Sequence, residues 1–315
     1  MKFIKLKNAV KNLGMVLSTL VILSSCDGEM EIIQSIDEEF SGIDRIEVDA
    51  EFMDVNYEGK EGQTQVEFDG MLESNRAGNF RISYSQEGNT LFIELDRKNL
   101  IGSGNHRASI NLVGPKELDL NVTSGSGKTV VSGIQFPKLN LDSGSGSIEL
   151  FNINSSEIYL HASSGTIEGS QLIGNLKAKI SSGNAEIDQL QGNLNVESSS
   201  GSLNVKRISG KLNVELSSGN LQMSDVSEIE RLKVSSGSIS GNRVGLGPKT
   251  KLISSSGKII VQTLSDLKSF NFDFEAESGH VVVGQSVSSG SLKIDNGAPS
   301  TISGSVSSGR IEIVN

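Results

Sequence analysis

The sequence predicts an all-β fold, a single right-handed parallel β-solenoid with coils of 18–19 residues. Three observations carry that prediction. Glycines recur at Gly127, Gly146, Gly165, Gly183, Gly201, Gly219, Gly237 and Gly257, each 18–20 residues after the last. Apolar residues then fall at fixed offsets from these anchors: Leu203, Val205, Ile208, Leu212 and Val214 follow Gly201, and Ala185, Ile187, Leu190, Leu194 and Val196 follow Gly183. Gly174, Gly192 and Gly210 halve three consecutive coils, so each coil reads as two units of a corner followed by a strand. A fixed period of this length marks a chain in which each repeat buries its apolar face against its neighbours. Right-handedness follows from the strong preference of parallel crossovers for that hand.

The alternation fixes the element type. Offsets of two and four put side chains on one face of a strand, which leaves Asn204, Lys206, Asn213 and Glu215 facing water. A coil of this length is also about five turns of α-helix, but a helical stripe needs apolar residues at i, i+3, i+4 and i+7. A glycine in every period would weaken such a helix by about 1 kcal/mol each. The corners close on Ser-Ser-Gly from Gly165 onward and on Ser-Gly-Ser-Gly at Gly127 and Gly146. Glycine is expected there to supply φ > 0, with the serine hydroxyls stacked in ladders and bonding freed backbone groups.

Residues 1–25 are set apart as an export signal. Lys2, Lys5, Lys7 and Lys11 precede the apolar run Leu13–Leu23, which is too short to span a membrane. The following Leu23-Ser24-Ser25-Cys26 resembles the bacterial lipobox, and that resemblance implies lipid attachment at Cys26, the sole cysteine. Residues 26–39, rich in Asp and Glu, are expected to form an acidic tether. In enterobacterial lipoproteins an aspartate directly after the cysteine implies inner-membrane retention, whereas acidic residues there resemble the surface-export signal of Bacteroidetes-type lipoproteins, the group that the Ser/Asn/Gly-rich solenoid resembles. An outer-membrane lipid anchor follows as the expectation, with the protein at the cell surface or facing the periplasm.

Residues 40–315 are expected to be one adhesin-like solenoid. Its irregular first coils occupy 40–122, where alternation is visible in Ile43–Val48, Thr64–Phe68 and Phe80–Tyr84, and its Ser-Gly repeat coils occupy 123–315. A separate small β-domain is the alternative for 40–122. The phrases Phe40-Ser41-Gly42-Ile43-Asp44-Arg45-Ile46-Glu47-Val48 and Met53-Asp54-Val55-Asn56-Tyr57-Glu58-Gly59 resemble the opening of the bacterial head GIN-domain "putative adhesin" family. Ser143-Gly144-Ser145-Gly146-Ser147-Ile148 resembles the recurring phrase of a related family of Ser-Gly-repeat adhesins. The resemblance implies a β-solenoid and an adhesive role. At the far end, Ser307-Ser308-Gly309 opens one more coil with little chain after it. That coil is expected to lie uncapped and either to contact a second molecule or to be covered by the 284–306 segment. Gly279 and Gly290, close together, suggest a shortened coil nearby.

No catalytic residue, cofactor site or metal site is expected. Gly125-Ser126-Gly127-Lys128-Thr129 imitates the end of a phosphate-binding loop, but Val122 stands where its first glycine belongs and Val130-Val131 continue a strand. His106, His161 and His280 lack metal-ligand spacing. Glu149, Glu168 and Glu186 share one offset and so should stack as a solvated acidic ladder, with weak Ca²⁺ binding as the alternative. The net charge of −10 disfavours nucleic acid. The expected function is non-catalytic: a lipid-anchored cell-envelope protein that presents an elongated surface for adhesion or scaffolding, with an extracellular glycan or protein as ligand. An envelope polysaccharide-active β-helix enzyme and a periplasmic accessory of a signalling system are the alternatives.

Overall fold

The computed structural model describes residues 29–76, 78–98 and 104–315. The expected signal region, residues 1–25, and Cys26 lie outside the described residues. The rest is a stack of mainly parallel strands, hydrogen-bonded into one continuous sheet whose two longer faces enclose one hydrophobic core. Register between coils follows the repeat: Ile148 pairs with Ile167, Ile167 with Ala185 and Ala185 with Leu203 on one face. On the other, Ile158 pairs with Leu176 and Leu176 with Leu194. Leu203, Val205, Ile208, Leu212 and Val214 are all buried, whereas Glu215 is exposed, as the alternation requires. The phosphate-loop imitation is a corner that enters the strand Lys128–Ser132, not a helix.

The anchor glycines are required for a different reason from the one expected. Gly201 alone among the eight has a left-handed φ, at 124°. A methyl group at Gly165, Gly183 or Gly201 would instead collide with the carbonyl oxygen of the anchor one coil earlier. Glycine stands at this corner because the coils touch backbone to backbone. The serines follow suit: Ser182 N–H donates to the Ser163 carbonyl at 2.8 Å, and Ser236 N–H to the Ser217 carbonyl at 2.9 Å. The ladder at this corner is therefore carried by main-chain groups, with one hydroxyl pair, Ser200 to Ser182 at 3.5 Å, among the described residues.

Left-handed backbone appears at another corner, on residues that are not glycine. Asn152, Gln171, Gln189, Arg207, Asp225 and Arg243 have φ between 52° and 57° and follow one another at the coil period. They sit between the buried positions at offsets four and seven, where two residues rather than one must bridge successive inward side chains. The chain turns there by adopting αL, at a cost of about 1–2 kcal/mol per non-glycine residue.

Stacking order departs from chain order at both ends. The strand Arg45–Asp49 lies between Thr90–Arg97 and Asp119–Ser124, parallel to both. Asp54–Lys60 lies likewise between His106–Pro115 and Lys128–Ser132. The first coil in sequence is thus the second in space, so residues 40–122 continue the solenoid. The outer coil is closed by antiparallel strands, Phe80–Glu87 on one face and Gln65–Ser74 on the other.

Gln65–Ser74 in turn pairs antiparallel with Glu31–Ser41. This corrects the expected tether over 26–39, which from Glu31 onward is a strand of the cap. Ile36 is buried and Phe40 packs on the core, while Asp37, Glu38 and Glu39 take the solvent positions. Gln34 fastens this strand across to the next: its Nε2 donates to the Ile82 carbonyl at 2.8 Å and its Oε1 accepts from the Ile82 N–H at 2.9 Å.

The other end repeats the device. Thr301–Val306 lies between Ser238–Ser254 and Asn271–Ala276, and Arg310–Val314 lies between Lys258–Thr263 and His280–Val283. The last coil in sequence is therefore an interior layer, not the expected open end. It is covered by residues 271–283 rather than by the 284–306 segment. Leu292–Ile294 and Ser286–Ser288 then close the outer coil antiparallel. Gly290 belongs to this cap and not to a shortened coil. Ser307-Ser308-Gly309 stacks directly on the corner of Gly257, across a gap of 52 residues between the paired Lys258 and Arg310.

Candidate binding surface

The outward side chains of the two faces form long registered columns. On the face containing Ile167, Glu149 lies beside Glu168 and Glu168 beside Glu186, as their shared offset predicts. These carboxylates line a groove of about 320 Å³ with Asp188 and the half-exposed ring of Phe151. Both ends of the ladder are neutralised. Lys128 Nζ meets Glu149 at 2.8 Å and Lys206 Nζ meets Glu186 at 3.0 Å. The hydrogen bond that Lys128 donates to Glu149, aided by the Glu168 charge, holds the Lys128 ammonium above its ordinary pKa. Among the described residues no group of His, Cys, Asp and Glu is arranged to hold a metal ion.

The αL corner carries a second set of charges. Asp188 pairs with Arg207, and Asp225 accepts from Arg243 Nε at 2.8 Å. That hydrogen bond, with the Arg207 charge beside it, holds the Asp225 carboxyl below the usual carboxylate range. The pairs tie successive coils along an edge where the backbone is strained. The three histidines stay apart in different coils. His161 Nδ1 lies 2.7 Å from Asp142 on the outer face, and His106 Nδ1 lies 2.7 Å from Ser74 Oγ in the N-terminal outer coil. Burial, with the charges of Arg76 and Arg97, lowers the His106 pKa.

One group of residues escaped the sequence reading. Met30, Phe52, Phe80 and His106 line a groove of about 540 Å³ at the N-terminal end. Phe80 meets Phe52 edge-on at 4.8 Å and His106 at 4.7 Å between centroids. The signal was present as a crowding of phenylalanine and tyrosine between residues 40 and 92, in a chain otherwise poor in aromatics. The predicted lipid site, Cys26, lies outside the described residues. Among those residues, no helix is long and apolar enough to cross a membrane.

Comparison with known proteins bears on the fold. No curated protein matches the chain. Among solved structures the chain is similar to a "putative lipid binding protein" from Parabacteroides distasonis, at 19% identity and a TM-score of 0.47 over 74% of this chain and 98% of that one. It is also similar to a "putative adhesin" from Parabacteroides merdae, at 14% identity and a TM-score of 0.46 over 76% and 98%. A "putative adhesin" from Bacteroides fragilis gives 17% identity and a TM-score of 0.43 over 73% and 97%. The family profile described as Toastrack DUF4097 matches residues 43–244. That span runs from the captured first coil to the αL corner at Arg243, well over half of the sequence, and the chain belongs to the Toastrack DUF4097 family.

Proposed function

We propose that the protein is a non-catalytic, lipid-anchored component of the cell envelope that presents the sides of its solenoid for adhesion or scaffolding. The observation that supports this most is the closure of both ends. Antiparallel strands cover the outer coils at both ends, which leaves the registered side chains of the two faces as the long surface along the stack. Anchoring at Cys26 fits that geometry, because the cap strand begins at Glu31, only five residues later. The solenoid would then stand on the outer membrane by its N-terminal cap, at the cell surface or facing the periplasm. Kinship with the head GIN-domain adhesins, resting on the phrases at 40–48 and 53–59, belongs to the same reading.

Cys26→Ala tests the anchor. The variant is expected to leave the membrane fraction or to accumulate as uncleaved precursor, without acyl labelling. Unchanged labelling and retention overturn the anchor. Cells carrying the wild-type chain are expected to adhere to immobilised matrix proteins or glycans more strongly than cells lacking it, and equal adhesion overturns the adhesive role.

A further inference from the structure

On the face containing Leu176, the outer surface sinks into a groove of about 390 Å³ that crosses successive coils beside the glycine corner. Gly174, Gly192 and Gly210 form that corner, and a Cβ on any of them would collide with the backbone of the coil before. No side chain can therefore rise along that edge, and the groove lies next to it. At one end stands Tyr159, half-buried and the only tyrosine of the Ser-Gly repeat section. Its hydroxyl donates to Glu157 at 2.8 Å, and the Lys138 ammonium lies 5.2 Å from the ring centroid. The ring is thereby held in place beside the groove.

The floor is made of amides. Asn175 Oδ1 accepts from the Asn193 N–H at 3.3 Å, and Asn193 Oδ1 accepts from the Lys211 N–H at 2.9 Å. Each bond fixes a side chain, and among the described residues neither NH₂ group donates a hydrogen bond. One column further along the strands, Asn195 and Asn213 make no side-chain hydrogen bond among the described residues. The lysines in the groove are already matched by carboxylates. Lys177 lies 3.5 Å from Glu197, and Lys211 lies 3.7 Å from Glu228 and 3.9 Å from Glu230.

From these features we infer that the groove binds a neutral glycan chain running along the solenoid axis. An amide offers both donor and acceptor, which is what a row of sugar hydroxyls needs. A tyrosine ring offers an apolar face with a polar tip, which suits the C–H face of a pyranose. Matched lysines and an overall charge of −10 give an acidic glycan no net attraction. A peptide strand would seek an open sheet edge for backbone pairing, and this groove lies in mid-sheet, where the neighbouring strands already use those groups. The inference rests on the adhesive reading and names the ligand class for one face.

Affinity electrophoresis of the purified chain through gels containing dextran, mannan or a linear β-glucan tests it, with polygalacturonate as the acidic probe. At least one neutral polysaccharide is expected to retard the wild-type chain. Tyr159→Ala and the pair Asn195→Ala with Asn213→Ala are expected to weaken that retardation at least tenfold. Gln222→Ala, on the opposite face, should leave it unchanged. Circular dichroism of each variant checks that the coils remain folded, and Asn213→Asp serves as a second probe if Tyr159→Ala unfolds. Retardation by polygalacturonate alone, by none of the polysaccharides, or equally in all variants overturns the inference. If the chain confers adhesion to matrix proteins while no glycan retards it, the groove assignment fails and the adhesive reading survives. Glycan retardation lost in the groove variants, without any adhesion by cells, has the converse meaning.

Discussion

At the residue scale, two kinds of glycine do different work. Gly183 is held by contact, because any side chain there would enter the carbonyl of Gly165. Gly62 has open space around it but a φ of +75°. Gly183→Ala is expected to cost about 1–3 kcal/mol or more, the scale of overpacking in a close-packed interior. Gly62→Asn should cost only tenths, since asparagine tolerates αL. Chemical denaturation separates the two, and equal losses would overturn the contact explanation. The buried and exposed positions of one strand give a second comparison. Val214→Asp puts an unpaired charge among buried side chains and is expected to cost about 3–5 kcal/mol. Glu215→Lys breaks only the exposed pair with Lys233 and should cost less than about 1 kcal/mol. Similar losses from both substitutions would mean that the register is wrong.

At the scale of the element, the strand Glu31–Ser41 shows how a cap differs from a coil. Its edge is joined to Gln65–Ser74 by backbone pairing, but to the strand Phe80–Glu87 through side chains: the amide of Gln34 imitates a backbone pair at Ile82, Gln86 Nε2 donates to the Ser41 carbonyl at 3.2 Å, and the Tyr84 hydroxyl donates to Glu38 at 3.5 Å. Gln34→Ala removes both bonds and leaves the Ile82 groups to water, a loss of about 1–2 kcal/mol at this part-buried site. The Ile82 amide is expected to exchange its hydrogen faster in the variant, while amides near Val214 keep their wild-type rates. Unchanged exchange at Ile82 would mean that the Gln34 side chain does not hold that part of the strand. The acidic run of Asp37, Glu38 and Glu39 hid this strand in the sequence. Those residues are the solvent-facing part of a cap, and composition alone reads them as tether.

At the scale of the whole molecule, each terminal coil is captured beneath a coil that precedes or follows it in sequence. A solenoid is stabilised layer by layer through nearest neighbours, so removal of an interior layer should uncouple everything outside it. Deleting residues 307–315 takes out the strand between Lys258–Thr263 and His280–Val283. Hydrogen-exchange protection is expected to fall over 280–288, while 271–276, still paired with Thr301–Val306, and the coils between 165 and 240 keep theirs. Retained protection in 280–283 would show that the outer coil holds without the captured strand.

The sequence by itself determined the period, the strand type and the inward positions. These depend on the alternation of side chains along a strand and on recurrence at one coil length, both of which are local to the chain. The acidic ladder of Glu149, Glu168 and Glu186 was legible for the same reason, since equal offsets become neighbours once coils stack. Only the tertiary structure decided which coil lies on which at the ends, because parallel pairing joins backbone groups and is indifferent to chain order. It also decided why glycine occupies the Ser-Ser-Gly corner and where the left-handed residues fall. Those are matters of distance between coils and of how the chain turns between inward side chains, and no single coil contains that information. The groove beside Tyr159 arises likewise from three glycine corners acting together, with the amides of separate coils brought into one row.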